Sequence, residues 1–333
     1  MSFAPNPSPI ELSVVVPVFR EAENVAPLCA RLLPVLRDLA ADFEVLFVDD
    51  GSTDGTLAAI GRENEMDPRV VAISFSRNFG KEVAIAAGLD HARGRAVILM
   101  DADLQHPPEL IRTFVERWRD GYAMVYGQRT DRAGESRVKR GFTHLFYRLF
   151  ARFGETELPE GAGDFRLIDR KGVQVLKALG ERARFSKGLY AWIGFRSIGV
   201  PFAVEERQHG STKWSFRRLF RFAFDGITSF STVPLRVWTY IGGLISLCAF
   251  TAAIFVAIRT LLFGSDVAGY PSIIVSVTFF AGIQLMSLGV IGEYIGRIFA
   301  EVKRRPLYVV GGAVGLHGPL ASLPPDERRT SPA

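Results

Sequence analysis

Cysteine is almost absent: Cys29 and Cys248 are the only two in 333 residues, one in an amphipathic stretch and one in an apolar run. So wide a separation argues against a disulfide framework and agrees with a reducing, cytoplasmic setting. Also missing are a G-x-G-x-x-G after the first apolar run and a Walker A sequence, which removes the best support for a dinucleotide oxidoreductase or a P-loop NTPase. The amino-terminal MSFAPNPSPIELSVVVP has neither a basic n-region nor a long apolar h-region, so no secretory signal is expected. Net charge is modest too. A formal +5 is too small to argue for nucleic acid by itself, and what matters is where the basic residues cluster.

What the chain has in quantity is apolar runs alternating with amphipathic ones. LSVVVPV, EVLFVDD, VVAISFS, AVILMDAD and AMVYGQ read as strands, and helical spacing fills the gaps over 25–39, 56–65, 81–91 and 108–119. Regular β–α alternation predicts an α/β fold with a mostly parallel, helix-covered sheet, whose ligands sit beyond the carboxyl ends of the strands. The most polar strand endings are VPVFRE, VDDGSTDGT and MDADLQ, and they share that edge. Within VILMDADLQHPP, Asp101 and Asp103 stand one position apart. If the strand continues through them, alternation turns both carboxylates the same way. Like charges so close repel unless a cation lies between them. The competing assignment is a strand end and polar turn, with an aspartate capping the helix that begins near Pro107 and Pro108.

Two uncharged stretches, 238–258 and 272–292, are each long enough to cross roughly 30 Å of hydrocarbon as a helix. Arg217, Arg218, Arg221 and Arg236 precede the first, and Arg297, Lys303, Arg304 and Arg305 follow the second; the loop between carries only Arg259 and Asp266. The positive-inside bias then puts both chain ends in the cytoplasm, in a multi-pass inner-membrane protein with a cytosolic domain before the first span. In 137–153, Phe142, Leu145, Phe146, Leu149, Phe150 and Phe153 recur at helical spacing opposite Lys139, Arg140, Arg148 and Arg152, and 213–234 repeats the style. Basic, Phe-rich amphipathic helices fit a bilayer interface, and the segregation of aromatic from basic residues speaks against nucleic acid. The expected organisation is a flexible 1–11, an α/β domain over 12–212 that includes the interfacial helix 137–153, a juxtamembrane helix over 213–234, two transmembrane helices within 235–296 and a cytosolic tail over 297–333.

Taken together, VVVPVFRE, VDDGSTDGT, SRNFGKE, MDADLQHPPE, GDFRLIDR, STKW and SLGVIGEYIGRIFAEVKRRPLYVV resemble the family 2 glycosyltransferases of the GT-A fold. More narrowly they resemble the polyprenyl-phosphate glycosyltransferases, the group that holds bactoprenol glucosyltransferases and dolichyl-phosphate mannose synthases. The likeness runs from residue 12 to about residue 310, and the tandem apolar stretches followed by GEYIGR are most similar to the bactoprenol glucosyltransferase branch. The Q-x-x-R-W element of processive polysaccharide synthases is missing, which favours transfer of a single sugar. The resemblance implies an inverting transfer of one hexose from a nucleotide sugar, UDP-glucose first, to undecaprenyl or another polyprenyl phosphate. GDP-mannose and a UDP-aminosugar stay open as donors.

The resemblance also implies roles. Asp101 and Asp103 would meet a Mg²⁺ or Mn²⁺ ion or the ribose, with Gln105 nearby; a hard cation shared by carboxylate and phosphate oxygens suits a departing diphosphate on chemical grounds alone. Pro17, Glu21 and Asp50 would line the nucleotide pocket, with Asp50 accepting hydrogen bonds from base or ribose. Lys81, Arg129 and Lys213 are candidates for phosphate contacts. Asp164, grouped with Asp103 and Arg166 as the catalytic set, would face the acceptor either as general base or as orienting group, since a phosphate monoester with a second pKa near ~6 is already ionised at pH 7. Arg166 would hold the lipid phosphate bidentately, the alternative being a salt bridge with Asp164 inside a loop. The bilayer is an expected partner and a homo-oligomer an open one. Two other classes remain. A non-catalytic sugar-nucleotide sensor would tolerate loss of the paired carboxylates. A lipid flippase would need an oligomer, and within the spans it would have no polar residue beyond Gln284 and small hydroxyls.

Overall fold

A computed structural model describes residues 10–40, 42–130, 162–179, 181, 186–203 and 269–316, with scattered positions between 242 and 262. The expected interfacial helix 137–153, the stretch 213–234 with Lys213, residues 1–9 and the chain beyond 316 lie outside the described residues. The chain divides into two compact units, 1–223 together with 305–333, and 224–304.

In the larger unit β1 (Leu12–Val18), β2 (Phe43–Asp49), β3 (Val70–Phe75) and β4 (Ala96–Leu99) build a parallel core in the order β3-β2-β1-β4. The crossovers are α1 (Ala22–Leu39), α2 (Thr56–Met66) and α3 (Lys81–His91). These strands are buried along nearly their whole length, as their Val-, Ile-, Leu- and Phe-rich sequences require of strands covered on both faces. After α4 (Ile111–Arg119) come β5 (Met124–Arg129) and β6 (Ala162–Asp169), then α5 (Arg170–Ala178), α6 (Ser186–Trp192) and β7 (Ser197–Phe202), and finally β8 (Val310–Val314). The full sheet runs β7-β5-β6-β4-β1-β2-β3-β8. Strand β6 is antiparallel to both β4 and β5, and β8 is antiparallel to β3.

That reversal places the site. Because β6 runs opposite to β4, its beginning lies at the edge where β1, β2, β3 and β4 end. The order changes direction at β1, between β2 and β4, which opens the crevice typical of such sheets. Pro17 helps to open it: Val15 accepts from Met100 N–H at 3.1 Å on the β4 side, and the β1–β4 ladder ends there. The donor that Pro17 lacks would point to that same side, where no strand continues.

Three expectations change. AVILMDAD does not stay extended to residue 103; β4 ends at Leu99, and Asp101 to Gln105 form a turn in which buried Leu104 adopts φ +59°. The positive φ of a bulky core residue marks a strained turn, held by packing around it. GDFRLIDR is a sheet strand, not a loop, because its central residues fill the slot beside β4. Part of the expected tail is β8, a glycine-rich edge strand whose sequence carries no strand signal.

In the smaller unit, α7 (Tyr270–Val302) contains the expected span 272–292 and continues ten residues past it. Its segment Phe279–Val302 is long and apolar enough to cross a membrane, with none of its described side chains buried, and is the one such helix among the described residues. A two-helix hairpin is not shown. Positions described between 242 and 262 are helical, but most of the stretch 238–258 lies outside the described residues.

Helix α3 lies close on β1 because residue 88 is glycine: a methyl group there would overlap the side chain of Val15. Gly88→Ala should destabilise the full chain by about 1–3 kcal/mol, the usual cost of overpacking a core. Val15→Ala added to it should recover part of that loss, so the double variant is more stable in urea unfolding than the sum of the single effects predicts.

Candidate active site

One lysine joins the carboxyl edge. Lys81, the first residue of α3, places Nζ 2.6 Å from Asp101 Oδ1 and 3.0 Å from Asp164 Oδ2. The D-x-D turn after β4 and the start of β6 are thus bridged by one ammonium: β4 and β6 pair Leu99 with Arg166, Asp101 lies two residues beyond Leu99 in the turn, and Asp164 two residues before Arg166 on β6. A cation at a helix N-terminus opposes the helix dipole, so two carboxylates hold Lys81 where its own helix does not favour it. Burial works against the ammonium, yet these carboxylates outweigh it and keep Lys81 above the usual lysine range. Asp164 is the converse: burial opposes its charge, but Lys81, Lys187 and Arg166 hold it well below the usual carboxylate range. The other oxygen of Asp164 is buried and, among the described residues, has no hydrogen-bond partner.

The loop before Lys81 is set by Asp50, whose carboxylate accepts the backbone N–H groups of Phe79 at 2.6 Å and Gly80 at 2.9 Å. Gly80 is at φ +102°, a conformation in which a side chain would be strained. Burial pushes the Asp50 carboxyl above its ordinary value, and the two N–H groups offset part of that. Its neighbour Asp49 caps the turn, accepting from Ser52 N–H at 3.0 Å and Ser74 Oγ at 2.7 Å. Glu21 N–H donates to Thr56 Oγ1 at 3.0 Å, and Arg20 N–H to Ser52 Oγ at 2.9 Å, so the loops after β1 and β2 are stitched together. Pro17, Glu21, Asp50, Lys81, Asp101, Asp103, Gln105, Arg129 and Asp164 all belong to segments that end or begin at this one edge. Gln105 N–H donates to Asp103 Oδ1 at 3.2 Å within the turn.

Arg166 is turned inward. Only 3% exposed, its guanidinium lies 3.7 Å over the Tyr190 ring and donates to Gly163 O and, at 3.5 Å, to Met124 Sδ. The bidentate grip on a lipid phosphate expected of it would require that burial to be undone, and no Asp164–Arg166 salt bridge forms among the described residues.

Sequence reasoning missed four residues here. Glu82 accepts the Ser186 backbone N–H at 3.1 Å and the Ser186 hydroxyl as well, tying α6 to α3. Burial and the Asp164 charge push the Glu82 carboxyl up. Tyr190 is the ring beneath Arg166. His106, 1% exposed, stacks on Phe165 with centroids 4.9 Å apart, and among the described residues neither ring nitrogen has a hydrogen-bond partner. Burial lowers its pKa and keeps the imidazole neutral, closing the D-x-D turn onto β6. The available signals were weak: Glu82 adjoins Lys81, and Ser186 and Tyr190 share a face of SKGLYAW at i,i+4 spacing.

Among the described residues, no group of three or more His, Cys, Asp or Glu side chains converges as a ligand set. Asp101 and Asp103 still supply hard oxygen donors, and Mg²⁺-type ions are held by one or two carboxylates while substrate phosphates and water complete the octahedron. This donor set fits an ion that arrives with a diphosphate, not one caged by protein.

Comparison with known proteins agrees with the geometry. The profile described as Glycosyl transferase family 2 matches residues 13–176. An uncharacterized glycosyltransferase of Synechocystis sp. is 49% identical over 307 residues, covering 92% of this chain and 96% of its own. A prophage-derived bactoprenol glucosyl transferase of Shigella flexneri is 44% identical over 302 residues, 90% of this chain and 97% of its own. Among solved structures, mannosyl-3-phosphoglycerate synthase from Rubrobacter xylanophilus is similar at TM-score 0.42 and 22% identity, over 66% of this chain and 72% of that one, too distant to bear on the ligand.

Replacing Lys81 by methionine leaves Asp101 and Asp164 facing each other without their counter-ion. Stability should fall by about 1–3 kcal/mol at pH 7, less than for a fully buried pair because part of the Lys81 side chain meets solvent. Since Asp164 is depressed when folded, the pair's contribution is complete above the ordinary carboxylate range and is lost as pH falls through it toward the folded value. The gap between wild type and Lys81→Met in urea unfolding should therefore be widest near neutrality and narrow in acid; a gap that is constant from pH 7 to pH 3 contradicts this assignment.

Proposed function

This chain belongs to glycosyl transferase family 2 and is a glycosyltransferase, and on that premise we propose that it moves one glucose from UDP-glucose to a polyprenyl phosphate, inverting the anomeric centre. The observation that carries this reading is the convergence of the D-x-D turn, Lys81 and Asp164 at the carboxyl edge of a parallel sheet. An oxygen of the lipid phosphate attacks the anomeric carbon, the bond from that carbon to the diphosphate oxygen breaks, and UDP leaves with the electron pair. Asp101 and Asp103 would hold a divalent cation, which when bound supplies positive charge beside the diphosphate. Pro17, Glu21 and Asp50 stand at the loops that would enclose the nucleotide; Arg129 and Lys213 stay candidates for phosphate contacts.

Asp164 orients in this scheme. A carboxylate held far below its usual pKa is a weak base, and a phosphate monoester with a second pKa near ~6 needs no proton removed at pH 7. The lipid acceptor suits a chain with an unburied apolar helix, and we read 238–258 as a second span, with both chain ends on the cytoplasmic side.

The test is to offer detergent-purified full-length protein, extracted from the membrane fraction, a polyprenyl phosphate with radiolabelled UDP-glucose, GDP-mannose or a UDP-aminosugar. Glucosyl lipid should form from UDP-glucose and vanish in excess EDTA, and Asp103→Asn should lower turnover about a hundredfold or more, the scale of losing a principal charge-stabilising group. Full activity in EDTA, or a sugar sensor's silence with every donor, would overturn the proposal. Asp164→Asn should retain a residual kcat whose pH profile still follows the acceptor ionisation near ~6; a folded, donor-binding variant that has lost this ionisation would instead make Asp164 the base.

A further inference from the structure

Helix α6 is fastened at two points to the elements that carry the site. Ser186 bonds Glu82, the neighbour of Lys81 on α3, and four residues on Tyr190 supports Arg166, which stands two residues from Asp164 on β6. Lys187 follows Ser186 along the stretch between the two ties, three residues before Tyr190 and so on a neighbouring face of the helix, and its charge acts on Asp164. The cations around Asp164 differ in what they can still do. Lys81 is committed to two carboxylates, and Arg166 is buried against an aromatic ring. Lys187 is only partly buried and, among the described residues, forms no ion pair. A phosphate monoester entering beside Asp164 would bring up to two negative charges toward a carboxylate, and that approach needs a cation not already neutralised.

We propose that Lys187 is the cation that receives the acceptor's phosphate, placed by the Ser186–Glu82 bond and the Tyr190–Arg166 contact. This rests on the acceptor reading above and assigns its phosphate a specific contact. The shared chemistry, a phosphate oxygen, also belongs to the donor's diphosphate, so the two substrates are separated by which KM responds to loss of the lysine. Trp192, half exposed at the end of the same helix, offers an apolar neighbour to a prenyl chain.

The experiment uses full-length protein in detergent with UDP-glucose and a short-chain polyprenyl phosphate, each varied in turn. Lys187→Met should raise KM for the lipid phosphate about tenfold or more, the scale of one charge-assisted hydrogen bond, and leave KM for UDP-glucose within about twofold. Lys187→Arg should recover most of the loss. Without donor, wild type should bind polyprenyl phosphate more tightly than uncharged polyprenol, and Lys187→Met should bind the two alike. An unchanged lipid KM, an equal rise for both substrates that arginine does not rescue, or a preserved preference for the phosphate overturns the assignment. If wild type itself neither binds nor glucosylates the lipid phosphate, it is the acceptor reading that falls.

Discussion

Everything at the candidate site depends on where one ammonium group sits. Lys81 is the counter-ion of Asp101 and Asp164, two carboxylates that come from different strands and would repel each other without it. Its position is itself the result of other choices. Asp50 pins the two peptide N–H groups that precede it, Gly80 takes a backbone conformation closed to most residues, and Gly88 lets the rest of the helix settle onto β1. A change in any of these moves the lysine relative to both carboxylates.

The surrounding charges form a graded set. Glu82 is pushed toward its neutral form by burial, Asp164 is held ionised by cations, and His106 is neutral in an aromatic stack. Buried charges of this kind contribute little net stability compared with an apolar core, because desolvation offsets most of their attraction. Their value lies in fixing dipoles and charges before the substrate arrives, where they need not reorganise as charge shifts from the phosphate nucleophile to the departing diphosphate.

Sheet topology decides which residues meet. In a purely parallel sheet, a strand beside β4 would bring only its carboxyl end to this edge, and Asp164, near the start of β6, would lie at the opposite one. Antiparallel β6 reverses that and brings Asp164 to the edge where the turn with Asp101 stands. The same sheet accepts β8 at its far side, where Tyr308 stacks on Phe75 with centroids 5.1 Å apart and Ser76 N–H donates to Val309 O at 2.9 Å. The polypeptide that leaves α7 is thereby built into the edge of the catalytic sheet.

The parallel core and its crossover helices were legible in the sequence, because strands covered on both faces must be apolar throughout and amphipathic helices must keep their period; the expected helix over 81–91 matches α3 residue for residue. The carboxyl-edge location of Asp50, Asp101 and Asp103 followed from the same reasoning, since polar residues directly after buried strands have no other place to go. What the sequence could not determine was pairing across long separations. Nothing local says that GDFRLIDR runs antiparallel beside β4, that VGGAV adds an edge strand, or that the chain leaves β4 at Leu99 through a strained Leu104 and not two residues later. Those outcomes, and with them the pairing of Lys81 with two carboxylates and the inward turn of Arg166, come from the packing of distant segments, where burial and charge balance override local pattern.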